Sequence, residues 1–458
     1  MTNQPKKATT RRKSTASKNE DPPVYLLSME VEDLLCFKER QTLNLSNKDG
    51  HPAQWTVILG NNGVGKTTLL RCLAGMEVSL KMPAPEENEF FPMLFTPYLF
   101  RSLAMWQDLW EVLMYEGGKI ITRIAIGEMH RPIQDLEVQK AETYIHDGGT
   151  TFGKGSQGLI CYGYGATRRM GKTSLSDSLS SDNSESLFSD DATLINAEEW
   201  LLQTDYAIKS SSGEIHVRFK KEFNRIIEVL KQILPDIEDI RITPADEIYS
   251  RPRAEFLTPF GWVSLSSLGL GYRTTIAWMV DLAVRLFKRY PDSEDPLAEP
   301  AIVLVDEIDL HMHPKWQRDI MQFLTDRFPN TQFIVTAHSP LVVQAAQDAN
   351  IVLLRREGDR VVIDNNPEII ENWRVDQVLT SVFEMPSARP AKIEPLLQRR
   401  KELLTKAKMT ASDRAELKEL EAQIGTLPTA ETSEDIKAMD IIRRAAKLLD
   451  RPVTEAVE

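Results

Sequence analysis

Eight consecutive residues, Gly60-Asn61-Asn62-Gly63-Val64-Gly65-Lys66-Thr67, constrain this chain more than any other stretch. They follow a short β-branched run, Trp55-Thr-Val-Ile-Leu59, and precede a segment, Thr67 to Ala74, with helical character. Strand, glycine loop and helix in that order make a phosphate cradle, the P-loop pattern. Glycines let backbone N–H groups converge on an anion without side-chain obstruction. The helix brings its positive dipole end to the same point. Gly60, Asn61, Asn62, Gly63, Val64 and Gly65 then supply the cradle. Lys66 reaches the β- and γ-phosphates, the Thr67 hydroxyl ligates Mg²⁺, and Thr68 counts with the binding residues. ATP and Mg²⁺ are the expected ligands.

A second strand-like run, Ala301-Ile-Val-Leu-Val305, ends in Asp306 and Glu307. Asp306 suits Mg²⁺, directly or from behind its ligands. Glu307 suits polarising the attacking water, because hydrolysis needs a base in line with the γ-phosphate. A third run, Phe333-Ile-Val-Thr336, is followed by His338. A histidine at that strand edge can contact the γ-phosphate. Two solvated acids and a structural histidine are the bland alternatives, and the intact P-loop weighs against them. Both apolar runs are continuous, as in a parallel sheet covered on both faces.

The chain has 458 residues, room for more than one domain. No apolar run approaches the length that crosses a bilayer. The basic N-terminus lacks the apolar core of a secretory signal. Cys36, Cys72 and Cys161 are scattered and suit a reducing compartment, so the expectation is a cytoplasmic protein with no membrane contact. A net charge of −12 argues against an extended nucleic-acid surface. Residues 1–23 form a basic tail expected to be disordered, either solubilising or touching nucleic acid. Strands are expected within 24–45, 119–126 and 159–165, and an aromatic helix with Trp106 and Trp110 within 83–115. The Ser- and Asp-rich stretch 171–191 is expected to be a mobile loop. Helices are expected over 219–234 and 274–287, with Leu and Ile at helical spacing again across 393–423.

Asp306-Glu-Ile-Asp-Leu-His-Met-His-Pro314 and Thr336-Ala-His338-Ser-Pro340 resemble the ABC ATPases, in particular their SMC-like heads. The resemblance implies an α/β P-loop NTPase of ABC type with a β-rich subdomain, a helical lobe and a C-terminal helical domain. The head would span 24–366, with the inserted lobe at about 80–300, and an assembly or partner region 367–458. Asp309 would lie at a dimer interface. His311 and His313 mimic a metal pair, but such spacing is common in this segment of the family. The family also needs a signature segment that meets the γ-phosphate held by the other protomer of a head-to-head dimer. Leu265-Ser-Ser-Leu-Gly269-Leu-Gly271-Tyr-Arg273 is the candidate. One alignment uses Ser266 with Gly269; the preferred one puts Gly269 where serine is usual and Gly271 at the glycine. The family's Q-loop glutamine has no clear counterpart. Gln157 precedes its strand, and Gly163-Tyr-Gly-Ala-Thr-Arg168-Arg169 stands in the expected place, with Arg168 either approaching phosphate or a neighbouring subunit, or forming a surface salt bridge.

With Trp373-Arg-Val-Asp-Gln377, Pro386-Ser-Ala-Arg389 and the helical tail added, the chain looks like the ATPase subunits of Septu-type and retron-associated bacterial anti-phage systems. That resemblance implies an ATPase that scaffolds and controls a separate HNH-type nuclease, in higher-order assemblies that meet DNA or retron nucleic acid through the complex. The C-terminal helices would serve assembly or simply pack on the head. No histidine and no Asp-x-Asp pair follows His338, which places any nuclease chemistry on another chain. An SMC-like repair or recombination head is the alternative, disfavoured because the Gly75–Phe260 interval lacks sustained heptads. A transporter ATPase subunit is disfavoured by the Asp309–Pro314 run.

Overall fold

β1 (Val24–Glu32) and β2 (Gln41–Asn44) pair antiparallel, and the chain then leaves them for β3 (Trp55–Gly60), the glycine loop and α1 (Lys66–Lys81). It returns to β1 with β4 (Lys119–Ile126), followed by β5 (Glu137–His146) and β6 (Gly149–Phe152). The result is an antiparallel sheet ordered β2-β1-β4-β5-β6, the β-rich part expected from the sequence. This computed structural model describes residues 22–81, 119–130, 136–146, 149–152, 160–171, 183–234, 236–247, 249–346, 348–367, 374–383, 385, 391–406 and 410–424. The tail before Pro22, the segment with Trp106 and Trp110, Gln157, Trp373 and residues 386–389 lie outside the described residues.

β7 (Cys161–Tyr164) is an edge strand of the second sheet, to which β3 also belongs. The short pieces β8 (Arg169–Met170), α2 (Glu185–Phe188) and β9 (Thr193–Leu194) lead to the helical pair α3 (Ala197–Ser210) and α4 (Gly213–Ile233). A three-stranded antiparallel sheet follows, β10 (Asp239–Thr243), β11 (Arg253–Thr258) and β12 (Gly261–Ser264), and then α5 (Leu270–Arg289). β13 (Ala301–Val305), α6 (Pro314–Arg327), β14 (Thr331–Thr336), α7 (Pro340–Ala345), β15 (Asn350–Glu357), β16 (Arg360–Asp364) and α8 (Val375–Ser381) follow. The second sheet is ordered β16-β15-β3-β14-β13-β7 and is parallel except for β16.

Alternate residues of these parallel strands enter two separate cores. Val57, Leu59, Val303, Val305, Phe333 and Val335 join α5 and α6 on one face. Ile58, Ile302, Leu304 and Ile334 join α1, β1 and β4 on the other. Two covered faces favour apolar residues at successive positions, which is why Val57–Leu59, Ala301–Val305 and Phe333–Val335 read as continuous apolar segments. α5 is tied to β7 by a buried ionic cluster. Tyr164 Oη donates to Asp281 Oδ2 at 3.0 Å, Arg285 Nε to the same oxygen at 2.7 Å, and Ile195 N to Asp281 Oδ1 at 3.1 Å. Asp281 is fully buried, so these three donors are what keep its charge tolerable there.

Two expectations change. Residues 183–191 of the Ser- and Asp-rich stretch are built into the head rather than forming a free loop. Asn183 accepts a hydrogen bond from Gly163 N, and Leu187 is buried against the α1 side of the sheet; residues 172–182 lie outside the described residues. α4 starts earlier than its apolar periodicity, because its first turns are exposed, Ile215 and Val217 included. The chain forms two compact units, Met1–Phe383 and Glu384–Glu458. In the second unit α9 (Glu394–Leu404) and α10 (Ala411–Ile424) are linked by an Arg399–Glu416 ion pair at 2.6 Å. Among the described residues no helix is long and apolar enough to cross a membrane.

Candidate functional site

The carboxyl ends of β3, β13 and β14 lie side by side, where open parallel sheets bind ligands. Gly60, Gly63 and Gly65 take φ of +146°, +78° and +87°, which side-chain-bearing residues adopt only under strain. Two of them are also fixed by close approach: a Cβ would lie 2.7 Å from the Leu354 carbonyl oxygen at Gly60 and 2.9 Å from Cys36 Sγ at Gly65. Asn61, Asn62 and Gly63 face solvent, while Val64 is buried and anchors the loop. α1 opens at Lys66, so its unpaired first-turn N–H groups border the loop. Lys66 folds back, donating from Nζ to the carbonyls of Gly60 at 2.8 Å and Asn61 at 2.9 Å. Burial lowers its pKa, against the raising effect of Asp306, Glu307 and Asp309.

Asp306, at the end of β13, joins the start of α1 to the end of β14. Its Oδ2 accepts from Thr67 Oγ1 at 2.7 Å and its Oδ1 from Thr336 Oγ1 at 2.5 Å. Thr336 Oγ1 in turn accepts from Glu307 N at 2.7 Å. Glu307 has φ +48°, a left-handed turn at the strand end that points its carboxylate to within 4.0 Å of His338 Nε2. The His338 N–H donates to both Asp309 carboxylate oxygens, at 3.2 and 3.1 Å. Sequence reasoning missed Thr336 and the Asp309–His338 link, although the strand-end threonine two residues before His338 was in view. The Thr67 hydroxyl and Asp306 carboxylate form an all-oxygen pair, which suits a hard cation such as Mg²⁺. Among the described residues no group of three or more His, Cys, Asp or Glu side chains could hold a metal, so a cation here would complete its shell from phosphate and water.

Arg168 does not lie in a surface salt bridge. It is 2% exposed, sits at φ +37°, and donates from Nη2 to the Glu307 carbonyl at 2.7 Å. Its Nε and Nη1 are buried with no hydrogen-bond partner, as is Thr167 Oγ1. Burial pulls its pKa down to about 10, with Asp306, Asp309 and Glu307 acting the other way.

At Gly269–Gly271 the chain passes from a one-turn 3₁₀ segment into α5. Ser266 falls in a one-turn 3₁₀ segment, Leu265–Ser267, where Ser264 Oγ contacts the hydroxyls of Ser266 at 3.0 Å and Ser267 at 2.9 Å. Gly269 is the N-cap of α5, and the helix starts at Leu270. Gly271 meets the turn after β13: a Cβ there would lie 2.2 Å from the His311 carbonyl oxygen. His311 takes φ +64°, and His313 Nδ1 accepts from Lys315 N at 3.3 Å as the N-cap of α6. Tyr272 packs edge-on to Trp316 with centroids 4.6 Å apart.

Residues 166–344 match the family model described as "AAA domain, putative AbiEii toxin, Type IV TA system". The chain is 26% identical over 337 residues to "Septu protein PtuA" of Bacillus mycoides (strain KBAB4), covering 72% of this chain and 41% of that protein. It is 29% identical over 249 residues to "Retron Ec83 probable ATPase" of Escherichia coli, covering 54% of this chain and 42% of that protein. It thus spans about two fifths of the length of these curated relatives. Among solved structures, an SMC head bound to the C-winged helix domain of ScpA aligns at 15% identity and TM-score 0.40, covering 74% of this chain and 97% of that one.

Proposed function

Starting from an ABC-type P-loop ATPase fold with Septu and retron ATPases as sequence relatives, we propose that this chain binds and hydrolyses ATP to control an anti-phage defence complex in the cytoplasm. The observation that carries the reading is the joining of Thr67, Asp306, Thr336 and Glu307 across the first turn of α1 and the ends of β13 and β14 by direct hydrogen bonds. In this proposal Gly60–Thr68 hold the nucleotide, and Lys66 leaves the loop carbonyls for the β- and γ-phosphates. Thr67 and Asp306 hold Mg²⁺, which neutralises phosphate charge when bound. Glu307 takes the proton of the attacking water, and His338 contacts the γ-phosphate. The products are ADP and phosphate. Gly269 and Gly271 of a second copy close the site with the N-terminus of α5, so the working unit is a head-to-head homodimer within a higher-order assembly. Phosphate release by the purified chain tests this: it should need Mg²⁺ and vanish in Lys66→Ala. A rate unchanged by that substitution contradicts the assignment.

The effector we assign to a separate HNH-type nuclease, with nucleic acid met through the complex. Its support is the similarity to Septu and retron ATPases. Co-expression with the product of a neighbouring HNH gene should give a co-purifying complex whose DNA cleavage responds to Glu307→Gln. Mg²⁺-dependent DNA cleavage by the purified chain alone would overturn this part.

A further inference from the structure

Among the described residues, the buried Arg168 is given no task by the mechanism above. Arg168 is 2% exposed, yet only Nη2 has a partner. A guanidinium with two buried donors unmatched costs stability, because each lost its water without a replacement. An apolar side chain in its place would carry no such unmatched donors. A residue held at such a cost points to function.

Its position indicates which function. Arg168 stands just beyond the carboxyl end of β7, the strand beside β13. The two strand ends are laced together, with Asp306 N donating to the Tyr164 carbonyl at 2.8 Å. The guanidinium lies in the field of Asp306, Glu307 and Asp309. Its one hydrogen bond goes to the backbone oxygen of Glu307, the residue whose φ of +48° aims the proposed base. A left-handed glutamate is a strained one. Three bonds hold it: Thr336 Oγ1 takes the Glu307 N–H, and Arg168 Nη2 shares the carbonyl with Leu310 N, which donates to it at 3.0 Å. The peptide units on both sides of the Glu307 Cα are therefore clamped.

We propose that Arg168 is a positioning residue for hydrolysis. It fixes the Glu307 backbone so that the carboxylate stays toward His338, and it offsets the charge of three clustered carboxylates. It touches neither nucleotide nor water in this scheme. The inference rests on the proposed role of Glu307.

The test is a set of variants read by both nucleotide affinity and turnover. Arg168→Met should bind ATP within about threefold of the parent but turn it over at least tenfold more slowly, splitting kcat from Kd. Arg168→Lys, which keeps the charge and a donor, should recover part of that loss. In single-turnover assays, adding Arg168→Met to Glu307→Gln should change the residual rate less than twofold, because both act on one group. Parental turnover in Arg168→Met overturns the inference, and so does a further tenfold loss in the double variant. If Arg168→Met binds no nucleotide through misfolding, Arg168→Lys decides: a parental rate there overturns the inference, and a loss of turnover at parental affinity supports it. A parent chain that hydrolyses no ATP overturns both this inference and the reading beneath it, whereas failure of the Arg168 arms with a normal Glu307→Gln loss sinks this one alone.

Discussion

The two parts of the expected ATP site are held in different ways. At the start of α1 and the ends of β13 and β14, side chains grip one another: Thr67 on Asp306, Thr336 on Asp306 and on the Glu307 N–H. At Gly269–Gly271 the chain offers backbone and a helix end, with no hydroxyl at the N-cap. The first part is complete within one copy. In the proposed dimer the second acts on the nucleotide of the other copy, since a helix N-terminus favours any anion brought to it. Chemistry that needs particular side chains tolerates little variation, whereas a contact made by N–H groups tolerates the loss of a serine.

Four substitutions break or sharpen that contrast. Glu307→Gln strikes the first part hardest: loss of a general base costs about 10²–10⁴ in turnover, while ATP affinity is retained, read as phosphate release against nucleotide titration. Lys66→Ala removes charge-assisted bonds worth roughly 3 kcal/mol together, about 100-fold in ATP affinity by calorimetry. Gly271→Ala acts on the second part. Its methyl group collides with the His311 carbonyl at 2.2 Å, and overpacking of this kind costs about 1–3 kcal/mol. Dimerisation should weaken while ATP affinity of the single chain stays within a few-fold. Gly269→Ser has the smallest effect. The nearest atom to a Cβ there is Tyr272 Cδ2 at 3.9 Å, so the hydroxyl fits as an N-cap worth a few tenths of a kcal/mol. Thermal unfolding should move up by about 1 °C; a fall would show that Gly269 is not the cap.

Legibility in the sequence followed the same division. Gly60–Thr67, Asp306, Glu307 and His338 stood out because their spacing against apolar strands is itself the signal, and the structure brings them to one sheet edge. The parallel sheet was readable because residues facing both cores are apolar. Arg168 was not readable, since its burial and its bond to the Glu307 carbonyl depend on β7 lying beside β13. Nor was the contact of Gly271 with His311, between residues forty positions apart in the chain. β5 escaped for a simpler reason: it mixes polar residues with an exposed Val138, which leaves no clean alternation.

The central claim, that ATP draws a second copy onto a site otherwise complete, is tested most directly by the molar mass of Glu307→Gln in solution, measured by light scattering with and without ATP and Mg²⁺. The account predicts a mass that rises by a whole copy or more when ATP is bound, and that does not rise in the Glu307→Gln, Gly271→Ala double variant. An unchanged mass at saturating bound ATP would contradict it.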